Sequence, residues 1–110
     1  MEPNLRQEIH QLHAGFCKGL ADANRLVLLY TLDNDPCTVG ELAEKLDLPQ
    51  STVSRHLGIL RERGMVVDTR QGKSVLYALG DPRIIEALDI LRAVMSSQLK
   101  KQIPIVRAIG

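Results

Sequence analysis

Apolar residues recur along this chain with two different periods, and the change of period divides it into elements. Leu5, Ile9, Leu12, Phe16 and Leu20 step by three or four, which places them on one side of an amphipathic helix over roughly the first twenty residues, ended with the help of Gly19 and Asp22. Asp22 is placed to cap a second helix whose Leu26, Leu28 and Leu29 supply core, and Asp33-Asn34-Asp35-Pro36 is a turn by composition. Two short helices follow within residues 38 to 63. In the first, Val39, Leu42, Ala43 and Leu46 share a face, Thr38 caps it and Glu41 reaches back to complete a capping box. In the second, Val53, Leu57 and Leu60 recur at i, i+4 and i+7. The pattern then becomes that of strands: Met65-Val66-Val67 and Ser74-Val75-Leu76-Tyr77 flank Arg70-Gln71-Gly72-Lys73, whose glycine suits a tight turn. Asp81 caps a last helix with Pro82 at its first position. It carries Ile84, Ile85, Leu88, Leu91, Met95 and Leu99 as one stripe, with Ile90 and Val94 beside it. Pro104 is expected to break this helix, leaving Ile103, Ile105, Val106 and Ile109 as an apolar tail.

Two helices joined by a tight turn and followed by a hairpin predict a mostly α winged helix-turn-helix. If Val53, Leu57 and Leu60 face inward, Ser51, Thr52 and Arg55 face outward, and hydroxyls with an arginine suit phosphates and base edges. The candidate DNA contacts are Gln50, Ser51, Thr52, Ser54, Arg55 and His56 in the second helix, with Arg70 and Lys73 on the wing. The plain alternative is two surface helices of an ordinary α-helical domain, with the hydroxyls as caps and Arg55 as a solvated charge. The coincidence of cap signals, short turn and basic-tipped hairpin speaks against it. A winged-helix protein-interaction module without DNA binding is the other alternative, disfavoured by basic groups at residues 55, 70 and 73. The apolar surface of the last helix is broader than one small domain uses, which predicts a dimer interface formed with the first helix.

Length and charge refine this picture. The 110 residues make one domain, 1–110. The net charge is only +1, but its distribution is uneven: residues 1 to 49 carry four basic and eight acidic groups, residues 50 to 76 five and two. Positive charge therefore collects where the second helix and hairpin lie. Aromatic residues make up 3% with no Trp, too few to stack bases as single-stranded nucleic-acid binders do. Three scattered histidines, no glycine-rich phosphate loop and no paired carboxylates leave no constellation for an enzyme. The polar N-terminus lacks the apolar core of a signal peptide, and the stretch around Leu26 to Leu32 is too short to span a bilayer, so the expected location is cytoplasmic. Cys17 and Cys37 are then not a structural disulfide by default.

One local constellation carries further chemistry. His10, His13 and Cys17 are spaced i, i+3 and i+7 on the first helix, and thiolate with imidazole attracts soft and borderline metals. Cys37, from this chain or a partner, would complete four ligands for As(III) or zinc, and reversible thiol oxidation is the related option. Against both stands the reading of Cys17 as a packing residue and of the histidines as surface polar groups. No metal site is assigned.

Gly19-Leu20-Ala21-Asp22-Ala23-Asn24-Arg25-Leu26, Val39-Gly40-Glu41-Leu42-Ala43, Gln50-Ser51-Thr52-Val53-Ser54-Arg55-His56-Leu57 and the Gln71-Gly72-Lys73…Tyr77 wing together resemble the ArsR/SmtB family of bacterial transcriptional repressors. The resemblance covers roughly residues 8 to 95. It implies an α-α-α-α-β-β-α winged helix, a dimer built from first and last helices, and operator binding relieved by a small inducer. The inducer sites of the family do not transfer intact. The cysteine positions at the start of the third helix hold Thr38 and Gly40, with Cys37 one residue too early. The zinc site of the last helix retains Asp81 but has Arg83, Val94 and Ser97 at its other positions, and the last helix lacks the cysteine of the persulfide-sensing branch.

Overall fold

The computed structural model describes the backbone of residues 1–109 and the side chains of residues 1–100. Helix α1 (Pro3–Leu12) continues through a π-helical turn (His13–Cys17) into the single turn α2 (Lys18–Leu20). Then come α3 (Ala23–Asn34), α4 (Val39–Leu46), α5 (Gln50–Glu62), the strands β1 (Val66–Gln71) and β2 (Ser74–Leu79), and the long α6 (Arg83–Ile109). This is the winged helix-turn-helix order that the hydrophobic pattern predicts.

The helix starts follow from local side-chain chemistry. Asp22, in extended conformation, accepts from the backbone N–H groups of Asn24 at 2.9 Å and Arg25 at 3.4 Å, satisfying two donors that have no partner inside α3. Thr38 and Glu41 form the reciprocal capping box on α4: Glu41 N–H donates to Thr38 Oγ1 at 3.1 Å, and Thr38 N–H to Glu41 Oε1 at 3.0 Å. Asp81 Oδ1 accepts from Arg83 N–H at 2.9 Å at the start of α6. The same Arg83, bonding through its side chain first and its backbone second, holds the Asp81 carboxyl down at about 2.

Both helices of the helix-turn-helix end in the same way. After α4, Asp47 turns left-handed at φ 53°, and Leu48 N–H reaches back to Ala43 O at 3.0 Å. After α5, Gly64 does so at φ 77°, with Met65 N–H on Leu60 O at 2.9 Å and Gly64 N–H on Arg61 O at 3.0 Å. These paired back-bonds are Schellman closures, and each reverses the chain within two residues. The first aims the chain into α5, the second into β1.

The hairpin pairs Val66 with Leu79 through to Gln71 with Ser74, leaving Gly72 and Lys73 as a two-residue turn. Only Gly72 has positive φ, 60°, the arrangement of a type II′ turn with glycine in its first central position. The strands run further than the sequence predicts: Arg70 lies opposite Val75 within the ladder rather than in the turn. At the root of the hairpin Cys37 and Tyr77 exchange two backbone hydrogen bonds, at 3.0 and 2.8 Å.

Leu28, Leu29, Leu42, Val53, Leu57, Leu60, Met65, Val66 and Cys37 are buried almost completely and form the core, to which α6 adds Ile85 and Leu88. Helix α1 buries nothing against its own chain. Pro104 does not end α6, which runs to Ile109. A proline inside a helix removes one hydrogen bond and crowds the preceding turn, which kinks or ends the helix; the neighbouring turns of so long a helix can carry it through. The side chains of the predicted apolar tail, Ile103, Ile105, Val106 and Ile109, lie outside the described residues.

Polar contacts also fix α5. His56, 4% exposed, sits between Arg25 and Asp22. Arg25 Nη1 is 3.4 Å from His56 Nδ1, and since a guanidinium only donates, Nδ1 accepts and the ring proton belongs on Nε2, 4.0 Å from Asp22 Oδ1. Arg25 further donates through Nε to Gly19 O at 2.6 Å and through Nη2 to Lys18 O at 3.3 Å. Arg63, at the end of α5, donates to the carbonyls of Ala14 and Gly15, both at 2.8 Å.

Burial pushes the His56 imidazole below its ordinary value, Asp22 opposes this, and Arg25 and Arg55 reinforce it. For Asp22, burial acts upward, but the N–H bonds from Asn24 and Arg25, with His56 and Arg25 nearby, leave its carboxyl below the usual range.

Gly64→Ala adds a methyl that meets nothing within 4 Å, so its effect isolates the left-handed backbone. It is expected to lower stability by about 1–2 kcal/mol, read as a reduced urea midpoint with unchanged slope. Because His56 binds a proton less readily folded than unfolded, the unfolded chain holds more protons in this range and stability rises with pH. The contribution is present above about pH 6.5 and is lost as pH falls from there toward the folded value. Asp22, shifted down, loses its contribution only at more acidic pH. The urea midpoint should therefore fall between pH 7.5 and pH 5. His56→Gln, which keeps one acceptor and one donor without titrating, should flatten that slope; an unchanged slope would assign it to other groups.

Candidate nucleic-acid interface

Burial of Val53, Leu57 and Leu60 against α3, α4 and β1 decides which side of α5 meets solvent. Gln50, Ser51, Ser54 and Arg55 are exposed on that side, with Thr52 half-buried at its edge. Residues 51, 54 and 55 stand at i, i+3 and i+4, so two hydroxyls and a guanidinium form one continuous patch. His56 does not belong to it. The sequence reading places His56 among the DNA contacts, whereas the fold buries it between Arg25 and Asp22. The helical period contained the signal: 56 lies three residues after Val53 and four before Leu60, so 53, 56, 57 and 60 are a single inward stripe.

The basic residues between 50 and 76 divide into engaged and unengaged groups. Arg61 Nη1 donates to Asp68 Oδ2 at 3.0 Å across α5 and β1, and Arg63 is turned inward onto the Ala14 and Gly15 carbonyls. Arg55, Arg70 and Lys73 have no hydrogen-bond or ion-pair partner among the described residues. All three are exposed, Arg55 on α5 and the other two at the far end of the hairpin. Unpaired cations beside hydroxyls on a protruding helix and loop form a surface able to neutralise phosphates. The inward roles of Arg25 and Arg63 are not readable from sequence, since both hold main-chain carbonyls, those of Gly19 and Lys18 for Arg25 and those of the distant Ala14 and Gly15 for Arg63.

The thiol candidates separate. Cys37 is wholly buried, its Sγ 3.5 Å from Lys45 Nζ and 3.4 Å from Asp35 O. Cys17 is exposed and lines a groove of about 600 Å³, with Leu12, Phe16 and Leu20 on one side and Ile84 and Leu91 on the other. His10 and His13 are exposed. The π-turn changes the rotation per residue between His13 and Cys17, so the spacing that would align the three on an α-helix does not hold. Among the described residues no three His, Cys, Asp or Glu side chains gather to hold a metal ion. The four-ligand set of His10, His13, Cys17 and Cys37 is thus not assembled within one chain.

The predicted apolar stripes of the first and last helices remain uncovered: Leu5, Ile9, Leu12 and Phe16 on one, Ile90, Leu91, Val94, Met95 and Leu99 on the other, each between 42% and 66% exposed. No helix among the described residues is long and apolar enough to cross a membrane.

Comparison with known proteins agrees with this geometry. Residues 22–67, from the cap of α3 to the start of β1, match the family model described as bacterial regulatory protein, arsR family. The chain is 41% identical over 76 residues to the HTH-type transcriptional regulator NmtR of Mycobacterium tuberculosis (strain ATCC 25618 / H37Rv), a match spanning 69% of this chain and 63% of that protein's length. It is 32% identical over 101 residues to the uncharacterized HTH-type transcriptional regulator Rv0081 of the same strain, spanning 91% of this chain and 89% of the relative. The crystal structure of M. tuberculosis Rv0081 superposes with a TM-score of 0.76 at 31% identity, covering 94% of this chain and 99% of that one. The NMR structure of the cadmium metal-sensor CMTR from M. tuberculosis has a TM-score of 0.59 at 42% identity, covering 69% and 79%. On this evidence of sequence, fold and exposed residues, the chain belongs to the ArsR family of bacterial regulatory proteins.

Proposed function

We propose that this chain is a DNA-binding transcriptional regulator, an inducer-responsive repressor that works in the cytoplasm and binds a pseudo-palindromic operator as a homodimer. The observation that carries the reading is the outward face of α5, where Ser51, Ser54 and Arg55 are exposed while Val53, Leu57 and Leu60 are wholly buried. With α5 in the major groove, Arg55 has the fork to hold guanine O6 and N7, Gln50 the amide to pair with adenine, and Ser51, Thr52 and Ser54 reach phosphates and base edges. Arg70 and Lys73 then lie along the adjacent backbone. A two-fold dimer closed through the apolar faces of α1 and α6 sets two such helices about 34 Å apart, one turn of the duplex. A protein-interaction role for the same fold would give no reason for three unpartnered cations at these positions.

For the inducer, the exposed thiol of Cys17 in the groove between the first helix and α6 is the candidate contact. A thiol-directed ligand releases DNA only if it binds the DNA-incompetent dimer more tightly. Titration of labelled inverted-repeat and random duplexes, with sedimentation in parallel, tests the whole reading. A dimer at micromolar concentration with tighter binding to some repeats supports it; a monomer with and without DNA overturns the dimer, and absence of DNA binding favours the interaction module. Arsenite or zinc should release DNA from the wild type but not from Cys17→Ser; equal release places the sensor elsewhere.

Arg55→Ala is expected to cost roughly 1–3 kcal/mol and to relax selectivity at one base pair per half-site. Lys73→Ala should instead weaken all sequences alike and reduce the salt slope by about 1 per chain. Equal losses on specific and random DNA in both variants would remove the readout role from Arg55.

A further inference from the structure

Resting on the DNA-binding reading above, we propose that Arg63 is a positioning residue: with Arg25 it forms a pair of struts that fix α5 to the first helix and so set the spacing between half-sites. Helix α1 has no residue buried against its own chain, so apolar packing does not orient its Pro3–Leu12 stretch relative to α5. At the far end of this helical run Leu20 packs on the core and Gly19 lies against Met65; the hydrogen bonds that tie the run to α5 come from two arginines. Arg63, the residue that ends α5, crosses to the π-turn and places one guanidinium nitrogen 2.8 Å from two successive carbonyl oxygens, those of Ala14 and Gly15. Arg25 grips the same segment a turn later, at the Gly19 and Lys18 carbonyls, and touches α5 through His56. One strut thus ends at the middle of α5 and the other at its C-terminal end. Two separated attachments constrain the swing of the first helix against α5, which a single one leaves free.

The surroundings are built for Arg63. Its side chain runs across Gly19, where a β-carbon would stand 2.7 Å from Arg63 Cδ and collide with Met65 Cε. Its Nε is buried with no hydrogen-bond partner among the described residues, a cost that a shorter or apolar side chain at this position would avoid. What the arginine supplies in return is reach and direction, since its planar fork presents donors in a fixed plane. The carbonyls it holds lie between Leu12 and Phe16, two members of the uncovered apolar stripe. In a dimer closed through that stripe, the first helix is tied to the symmetry axis, and any swing of α5 against it displaces the two reading helices relative to each other. Half-sites are separated by a set number of base pairs per turn, so such a swing appears as lost discrimination between spacings.

The test selects duplexes from a random-sequence pool with the wild-type chain. The recovered sequence is then synthesised as it stands and with one or two base pairs inserted between half-sites. Wild type is expected to lose about tenfold or more in affinity for one inserted pair, and Arg63→Gln less than about threefold. Dimerisation by sedimentation and affinity for random duplex should stay within about twofold of wild type, which a general loss of structure would not allow. An Arg63→Gln chain that keeps the wild-type spacing preference overturns the assignment. If that variant fails to fold by circular dichroism, Arg63→Lys decides: it keeps charge and stem but donates from a single nitrogen, so an intermediate spacing preference supports the struts and a wild-type preference overturns them. A wild type that recovers no common sequence overturns the DNA-binding reading itself, and the strut assignment with it.

Discussion

Val53, Leu57 and Leu60 lose all contact with solvent between α3, α4 and the root of β1, and the character of the exposed face follows from that one seam. A helix has one rotation about its axis to choose, and three fully buried aliphatic side chains choose it. Full burial is worth about 1.5–3 kcal/mol for each such side chain, far above the few tenths that a surface hydroxyl or arginine contributes to the helix itself. The outward residues are thus free of any structural duty and available for a ligand. The two Schellman closures place this helix in space, so its rotation and its position have separate physical origins.

Where apolar burial stops, charge and polar geometry continue. The chain buries His56 beside Arg25 and Asp22, although an aliphatic residue there would cost less desolvation. A polar cluster satisfies its partners in one arrangement only, which adds directional specificity to apolar contacts that are themselves non-directional. The same contrast holds at the first helix: most of its amphipathic stripe remains in solvent, and beyond Leu20 and Gly19 its attachment to α5 runs through carbonyl oxygens.

The helix-turn-helix and the wing were legible because their signals are local. Thr38 and Glu41, the period of 53, 57 and 60, and Gly72 each act within a few residues. His56 is misplaced by residue type alone, which groups its polar side chain with Ser54 and Arg55, whereas the period of 53, 56, 57 and 60 puts it inward. The π-turn at His13–Cys17 has no signature in residue type, so the metal-ligand spacing read from an ideal helix failed with it. Arg63 has no sequence signal for its inward role because its partners, Ala14 and Gly15, are nearly fifty residues away and are main-chain atoms, which carry no side-chain identity.

The two hydrogen bonds between Cys37 and Tyr77 join the base of the wing to the segment that leads into α4. A lone two-stranded ribbon is barely stable in water, and here its base borrows rigidity from the core while its far end has only its own ladder. Stiffness therefore falls along the hairpin. Amide hydrogens at Cys37 and Tyr77 belong with the slowly exchanging core, and those flanking Gly72 with the fast-opening surface. A ribbon hinged in this way can adjust its far end to the shape of a surface it meets without disturbing the core behind it.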